Sequence, residues 1–236
     1  MTKSYQHLNC NDCNIKGMSI FCDLDNHLLD LIQSNKSCDF YKKGEVIFKE
    51  GSISRGLFCV NKGKVRLGRM GASGKEQILR FATEGDIIGY NSMLNGKPLS
   101  VTATCLEDSS ICFIPARHFF HLLKTDSSFS LKILELTAQN WENASRLITN
   151  MAQKTSLERL AEMLLWLKDT FGLDQDDCLD VKLSREELAN LVGTATEVVI
   201  RLLRDLKNKK LIELQGKKIK LIDIHGLVVL GDLIDY

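Results

Sequence analysis

The sequence predicts an α+β protein in which an antiparallel β domain is followed by a long helix and a helix-turn-helix. Three observations support this fold class: short apolar runs separated by glycines over 38–115, an apolar seam in steps of three and four over 127–151, and two helical segments that meet at Gly193. The 236 residues, 44% hydrophobic and 26% charged, have the composition of a globular protein. This length suits one large domain or two small ones.

The first 25 residues are polar and carry cysteines. They lack the apolar stretch of a signal peptide, and no run of about 18 apolar residues occurs in the chain. We therefore expect a cytoplasmic protein with no membrane partner. In the reducing cytosol the eight cysteines are not expected to form a disulfide framework. Their remaining roles are core packing, ligation of a metal or cluster, and redox chemistry.

The β region follows a short helix that is expected over 27–37. Segments such as GLFCV and KVRLGRM alternate with ten glycines between positions 44 and 96. Short strands separated by glycine turns at this spacing are typical of an antiparallel sandwich or barrel. Helical spacing returns over 116–126, after Pro115 closes the β region.

One long segment, 127–151, has its apolar residues in steps of three and four. These residues form a seam, in which Asn140 and Ala144 also lie: Phe129, Ile133, Leu136, Leu147 and Met151. The pattern predicts a helix with one face packed against another helix. A packing face within the chain and a contact between two copies both remain open.

Two capped helices are predicted on either side of Gly193. Ser184 and Glu187 have capping-box spacing at the start of the first helix, and Gly193 stands where a helix-ending glycine belongs. Thr194 and Glu197 have the same spacing at the start of the second. A hairpin with its turn at Gly216 follows over 211–222. Two short helices, a tight turn and a hairpin are typical of a winged helix-turn-helix, which presents its second helix to the DNA major groove.

The predicted contacts to double-stranded DNA lie on the second helix and the hairpin: Thr194, Thr196, Glu197, Ile200, Arg201, Arg204, Lys217 and Lys218. Arg201 can donate two hydrogen bonds to guanine, and Glu197 can accept one from cytosine or hold Arg201 in place. Arg204 and the two lysines would neutralise phosphates. Alternatively, Glu197 only closes the capping box. Between 184 and 220, nine Lys and Arg stand against five Asp and Glu, which favours a polyanion over a merely solvated surface.

The chain resembles the CRP/FNR family of transcription regulators along nearly its full length. KKGEVIFKEGSISRGLFCVNKGKVRL and GDIIGYNSMLNGKP look like its cyclic-nucleotide-binding-type β-roll, and GTATEVVIRLLRDLKNKKLIELQGKKIKL looks like its winged helix-turn-helix. The E-x-x-x-R pair of that family falls on Glu197 and Arg201. Thr196 and Ile200 depart from the Arg or Ser often found there, so the family's base preference does not carry over.

The resemblance implies a homodimer on a palindromic promoter site, with RNA polymerase as a partner. Residues 71–76 form a turn that could touch the polymerase. We expect a cysteine-bearing extension over 1–25, a β-roll sensor domain over 26–126, a dimerisation helix over 127–153 and a DNA-binding domain over 154–236.

The resemblance argues against cyclic AMP as the effector. Cyclic-nucleotide receptors of the family place a Glu on the ribose and an Arg on the phosphate, whereas this chain has Tyr90 and Pro98-Leu99-Ser100 at those positions. Lys97 is near but supplies only a point charge. Another apolar or anionic effector could bind the same region, for which the predicted pocket is Gly89, Tyr90, Lys97, Leu99 and Ser100.

Four cysteines resemble the ligand set of the family's oxygen-sensing branch, which holds a 4Fe–4S cluster. Cys10 and Cys13 form a C-x-x-C pair, Cys22 follows, and Cys112 lies in a similar SICFIP context. The eight residues between Cys13 and Cys22 are a longer gap than in those sensors. Another metal, with His7 as an alternative ligand, a C-x-x-C thiol switch and purely structural cysteines remain open. Cys59 and Cys105 are expected in the strand core, and 38 and 178 have no ligand-like spacing.

The sequence indicates a regulator and not an enzyme. No nucleophile and base are evident as a pair, and the five histidines are scattered. Two other classes of protein remain open. One is a small-molecule-binding module that acts on protein partners through its C-terminal helices, and the other is a redox enzyme that uses the C-x-x-C pair.

Overall fold

The computed structural model of the chain describes residue 13 and residues 16–233. After a 3₁₀ turn at Lys16–Met18, the first part of the chain contains α1 (Asn26–Asn35), β1 (Ser37–Tyr41), β2 (Val46–Phe48), β3 (Gly56–Lys62), β4 (Val65–Met70), β5 (Glu76–Ala82), β6 (Ile87–Ile88), α2 (Tyr90–Asn95), β7 (Thr102–Cys105), β8 (Ser109–Pro115) and α3 (Ala116–Thr125). The second part contains α4 (Ser127–Gln153), α5 (Ser156–Phe171), α6 (Arg185–Val192), α7 (Thr196–Asn208), β9 (Ile212–Gln215), β10 (Lys218–Leu221) and α8 (Ile224–Leu230). The predicted α+β class is confirmed.

The glycine-punctuated region forms two four-stranded sheets. One sheet has the strand order β1-β8-β3-β6, and the other has the order β2-β7-β4-β5. The pairs with a known register, such as β1 with β8 and β4 with β7, are antiparallel. A first hydrophobic cluster joins buried residues of both sheets, including Val60, Val65, Ile88 and Ala103. Side chains alternate between the two faces of the sheet, so Phe58 and Val60 of β3 face this core.

A second hydrophobic cluster joins the first sheet to the helices around it. Leu57 and Ile114 come from the sheet, and they pack with residues of α1, α3 and the start of α4, which are Leu29, Ile32, Phe119, Leu122, Phe129 and Ile133. The rings of Phe119 and Phe129 meet edge to face with centroids 6.1 Å apart. The helices are therefore part of the β-roll's core and not an appendage.

The predicted long helix is confirmed as α4, which has 27 residues. Phe129 and Ile133 of the predicted seam are buried, and Leu136 packs against the same cluster. A second stripe on α4 has large apolar side chains that are more than half exposed: Leu131, Leu134, Trp141 and Ile148. The sequence pattern had not singled out this stripe.

Two compact units divide the chain. One unit contains the chain up to Arg69 together with Arg80–Glu142, and the other contains Met70–Leu79 together with the chain from Asn143 onwards. In the second unit, α5 begins with a complete capping box between Thr155 and Glu158. Its core is built from the buried faces of α5, α6 and α7, which include Leu160, Leu164, Leu188, Val192, Val199, Leu203 and Leu206. Within the described residues, no helix is both long and apolar enough to span a bilayer.

Candidate nucleic-acid interface and sensor site

The first helix of the predicted helix-turn-helix has the expected caps. The Ser184 hydroxyl accepts a hydrogen bond from the Glu187 amide at 3.1 Å, and the Glu187 carboxylate accepts one from the Ser184 amide at 2.7 Å. Gly193 ends α6 with a φ of 72°, in the left-handed region that favours glycine. A Cβ at this position would lie 2.9 Å from the end of the Met151 side chain. Local capping and close packing therefore both define the turn.

The second helix begins later than predicted. Its N-cap is Ala195, which makes no side-chain capping bond, and the first helical residue is Thr196. The predicted capping box between Thr194 and Glu197 is therefore wrong. The reason is that the Thr194 amide still donates to the carbonyl of Ala189, at 3.1 Å, so that residue 194 belongs to the closing turn of α6. Glu197 is exposed, and no capping box ties its carboxylate to the start of the helix.

One face of α7 is apolar and the other is charged. Val199, Leu202, Leu203 and Leu206 are buried. Four predicted contact residues lie on the opposite face at helical spacing and are exposed: Glu197, Ile200, Arg201 and Arg204. Thr194 and Thr196, at the start of the helix, are half-buried. The exposed face thus carries one carboxylate, two guanidinium groups and the apolar side chain of Ile200.

The hairpin after α7 treats its two predicted lysines differently. Lys217, beside the turn at Gly216, is exposed. Lys218 instead pairs with Asp174 at 2.7 Å and with Asp176 at 2.9 Å. The hydrogen bond from Lys218 lowers the pKa of Asp174 from 3.8 to about 2, and the same bonds raise the pKa of Lys218. The acidic loop before α6 therefore already supplies two carboxylates to Lys218, a pairing that was not predicted from the sequence.

Two arginines that were not predicted hold the helix-turn-helix together. Arg185 donates to the carbonyl of Gly216 at 2.8 Å and so links the start of α6 to the hairpin turn. Arg159 of α5 donates to the carbonyl of Val192 at 2.9 Å, where the end of α6 leaves its carbonyls unpaired. Neither role has a sequence signal, because both depend on contacts between distant segments.

The turn at residues 71–76 lies in the same compact unit as the helix-turn-helix. The Lys75 ammonium donates to the backbone carbonyl of Thr194, and the side-chain amide of Gln77 donates to the backbone carbonyl of Leu191 at 3.1 Å. Lys75 of this turn is therefore hydrogen-bonded to the residue two positions beyond the end of α6, and Gln77, just after the turn, is bonded to α6 itself.

The predicted effector pocket is divided among three environments. Tyr90 is buried in the cluster around α4, Leu99 is buried between the two sheets, and Lys97 and Ser100 are exposed. Gly89 is half-buried at the start of α2. The structure thus does not gather these five residues as one polar ligand site, since α2 turns Tyr90 towards one cluster while Leu99 faces the other.

Tyr90 also connects the β-roll unit to the middle of α4. Its hydroxyl accepts a hydrogen bond from the Asn140 side-chain amide at 2.7 Å, and the Arg80 guanidinium donates to the side-chain oxygen Oδ1 of Asn140 at 2.8 Å. Burial raises the pKa of Tyr90, which keeps the phenol neutral. The position at which the family resemblance expects the ribose-binding Glu therefore holds a buried tyrosine that is hydrogen-bonded within the protein.

The predicted cluster ligands are only partly brought together. Cys13 and Cys112 line one cavity of about 40 Å³, and Cys10 lies outside the described residues. Cys22 is not among the residues that line this cavity, and its sulfur lies 3.5 Å from the Lys132 ammonium of α4. In the part of the chain that the structure describes, no three His, Cys, Asp or Glu side chains are grouped to hold a metal ion.

Two further cysteines lie beside Cys112. Cys59 on β3 lines the same cavity, and Cys38 on β1 is joined to Cys112 by a disulfide. The side-chain amide of Asn61 donates to the Cys13 sulfur at 3.2 Å and holds it at the cavity. Cys59 and Cys105 are buried in the strands, as predicted. Cys38 was missed because strand register, and not sequence spacing, places it opposite Cys112.

Comparison with known proteins places this architecture among bacterial regulators. Residues 39–126 match the cyclic nucleotide-binding domain, and residues 158–230 match the Crp-like helix-turn-helix domain. The transcriptional activator protein FnrA of Stutzerimonas stutzeri is 26% identical over 97% of this chain and 95% of its own length. The electron transport regulator A of Shewanella oneidensis is 29% identical over 95% of this chain and 90% of its own length.

A solved structure supports the same fold. FixK2 from Bradyrhizobium japonicum superposes with a TM-score of 0.74 at 24% identity, over 83% of this chain and 96% of that chain. The fold and the helix-turn-helix define a DNA-binding regulator that joins an effector-type β domain to a winged helix. The chain belongs to the CRP/FNR family of transcription regulators. Its relatives are regulators and not enzymes, as the sequence predicted.

Proposed function

We propose that the protein binds a palindromic promoter site as a homodimer and regulates transcription in response to a redox signal sensed by cysteines of the β-roll unit. The observation that carries the DNA-binding part is the exposed face of α7, on which Glu197, Arg201 and Arg204 stand above a buried apolar face. RNA polymerase is the proposed partner at the promoter, and the cytoplasm is the proposed location.

Arg201 is the proposed base-reading residue. It is exposed one turn after Glu197, where the carboxylate can orient the guanidinium for a bidentate contact to guanine. Arg204 lies further along α7, and Lys217 lies in the turn of the β9–β10 hairpin. Both would contact phosphates, which positions the helix without reading the base sequence. Lys218 contributes less in this proposal, because two aspartates already neutralise it.

Selection of a binding site from random duplexes, followed by affinity measurements, tests this assignment. We expect Arg201→Ala to weaken binding to the selected site by about 1–3 kcal/mol, roughly 5- to 150-fold in Kd, and to relax the preference at one base pair. Lys124→Ala, at an exposed position of α3, is the matched control and should leave both affinity and preference unchanged. An equal loss on selected and random DNA would contradict base reading by Arg201.

The exposed stripe on α4 supports the homodimer. Leu134, Trp141 and Ile148 follow each other at steps of seven residues, which is the spacing of a helix that packs along a second helix. Large apolar side chains that are this exposed and lie along one helix are typical of an interaction surface. A second copy of α4 offers the same stripe in return, as two-fold symmetry requires.

Light scattering on a charged variant tests the dimer. We expect Trp141→Glu to yield monomers and to lose binding to a palindromic site, because a carboxylate would be buried without a partner. Val229→Glu, an equally exposed apolar position on α8, is the control and should remain dimeric. A dimeric Trp141→Glu protein would exclude this stripe as the interface.

The redox part of the proposal rests on the cysteines that meet at one cavity. Thiolates are the natural ligands of a 4Fe–4S cluster, and the proposed ligands are Cys10, Cys13, Cys22 and Cys112. The described residues do not by themselves fit this group, since Cys112 is bonded to Cys38 and Cys22 lies beside Lys132. The cluster hypothesis therefore requires Cys112 to be reduced and Cys22 to move.

Anaerobic purification followed by the visible spectrum and by iron and sulfide analysis tests the cluster. About four irons and four sulfides per chain would support it, and serine variants of the four cysteines should then lose them. An iron-free protein that still binds DNA would reject the cluster and leave thiol chemistry as the redox mechanism.

A further inference from the structure

A pair of cysteines, 74 residues apart in sequence, faces each other across two strands of the β-roll. Cys38 on β1 and Cys112 on β8 are direct partners in the antiparallel register, with their Cα atoms 4.0 Å apart. Directly opposite residues of an antiparallel pair have their side chains on the same face of the sheet. The strand register therefore places the two side chains next to each other on one face of the sheet.

The two residues differ in their access to solvent. Cys38, near the start of β1, is half-buried and is the more exposed of the two. Cys112 is 6% exposed and lines the cavity that Cys13 also lines. One partner can thus receive the oxidant and the other can resolve the product, which is the division of roles that a reversible thiol pair requires.

We propose that Cys38 and Cys112 form a reversible redox pair whose disulfide withholds Cys112 from the cavity it shares with Cys13. This inference rests on the proposed redox function and deepens it. The reason is that a sulfur in a disulfide is no longer a thiolate, and only the thiolate is a metal ligand or nucleophile. Cys112 therefore has two exclusive uses, as a partner of Cys38 or as a ligand at the cavity.

The proposed oxidant is hydrogen peroxide. The Cys38 thiolate attacks one peroxide oxygen, the O–O bond breaks, and a sulfenic acid and one water form after proton uptake. The Cys112 thiol then attacks the Cys38 sulfur, the S–O bond breaks, and the second water leaves with the Cys112 proton. Two thiols lose two electrons in total, and one peroxide gains them. A thiol reductant reverses the bond by exchange.

The position of the pair connects it to the long helix. Cys112 is buried in the cluster that contains Phe129 and Ile133 of α4, and Cys38 packs against the same cluster. Opening or closing the bond changes the covalent link between β1 and β8 at the edge of this core.

Peptide mapping of the full chain tests the proposal without DNA or iron. The protein is purified with reductant under anaerobic conditions, exposed to stoichiometric hydrogen peroxide, and its remaining thiols are alkylated after denaturation. We expect a cross-linked peptide that joins Cys38 to Cys112 after peroxide, and its loss on addition of dithiothreitol. In Cys178→Ser, which removes a buried thiol of the other unit, the cross-link should still form.

Two results would overturn the proposal. One is a Cys112 that stays alkylatable after peroxide, and the other is a Cys112 cross-linked to a cysteine other than Cys38. Cys38→Ser should keep Cys112 alkylatable throughout, and the wild-type mapping decides the question even if this variant does not fold. Loss of DNA binding or absence of iron would count against the proposed function alone, because the mapping depends on neither.

Discussion

Replacement of Gly193 by alanine should destabilise the helix-turn-helix more than any ordinary loop substitution. Gly193 has a φ of 72° and lies between α6 and α7, so its conformation sets the direction in which α7 leaves the turn. A Cβ there would lie 2.9 Å from both the sulfur and the terminal methyl of Met151. The substitution therefore combines a backbone penalty with a steric one.

The magnitude follows from these two contributions. An L-residue in the left-handed region costs about 1–2 kcal/mol relative to glycine. Displacement of the packed Met151 side chain adds about 1 kcal/mol, at the low end for overpacking, because the end of methionine is flexible. Gly216→Ala is the matched control, since its φ of 62° carries the same backbone cost and nothing lies within 4 Å of its Cβ.

Urea unfolding followed by circular dichroism measures both variants. We expect the free energy of unfolding to fall by about 2–3 kcal/mol for Gly193→Ala and by about 1–2 kcal/mol for Gly216→Ala, with unchanged slopes. DNA affinity should fall further for Gly193→Ala, because the turn positions α7. Equal losses in the two variants would refute the steric part of the reasoning, and no loss in either would refute the backbone part.

Two further predictions concern the hairpin and its acidic loop. Lys217→Ala should lower the slope of the salt dependence of DNA binding by about one unit with no change in stability. Lys218→Ala should instead lower the unfolding midpoint, because it leaves Asp174 and Asp176 without their cation. Equal salt slopes and equal midpoints for the two variants would contradict this division. The folded pKa of Asp174, about 2, lies below its ordinary 3.8, so its stabilising contribution is complete above 3.8 and is lost as pH falls towards 2. Thermal unfolding of Asp174→Asn should accordingly depend less on pH over this interval than that of the wild type, and parallel curves would show that the ion pair does not form.

Tyr90 stands where the family resemblance expects the ribose-binding Glu of a cyclic-nucleotide receptor. Its phenol is buried and hydrogen-bonded to Asn140 of α4. We propose that the β-roll unit senses its signal at the cysteine-lined cavity beside α1 and β8. Cys112, which lines this cavity, belongs to the same hydrophobic cluster as Phe129 and Ile133 of α4.

Much of the fold could be predicted from the sequence because its signals are local. The capping box at Ser184, the glycine at 193 and the apolar steps of α4 each involve residues within one or two helical turns. Glycine-separated strands likewise reveal an antiparallel domain before any pairing is known. The exposed face of α7 follows from helical periodicity alone, which is why Glu197, Ile200, Arg201 and Arg204 were found together.

Local signals failed where two patterns competed or where the partner was distant. Thr194 has capping-box spacing to Glu197, but the end of α6 takes its amide first, so the helix starts at Thr196. The five residues of the predicted effector pocket are neighbours in sequence, yet the turn into α2 sends Tyr90 and Leu99 into different clusters.

The sequence by itself determined the class of fold, the order of the elements and the chemistry of the exposed face of α7, since all three depend on side-chain periodicity and short-range hydrogen bonds. Only the tertiary structure decided that Lys218 is held by Asp174 and that Cys38 faces Cys112. Both pairs join segments more than forty residues apart, and strand register and loop closure set their distances. Such contacts have no period in the sequence, because the chain between them can vary in length and composition without changing the pair.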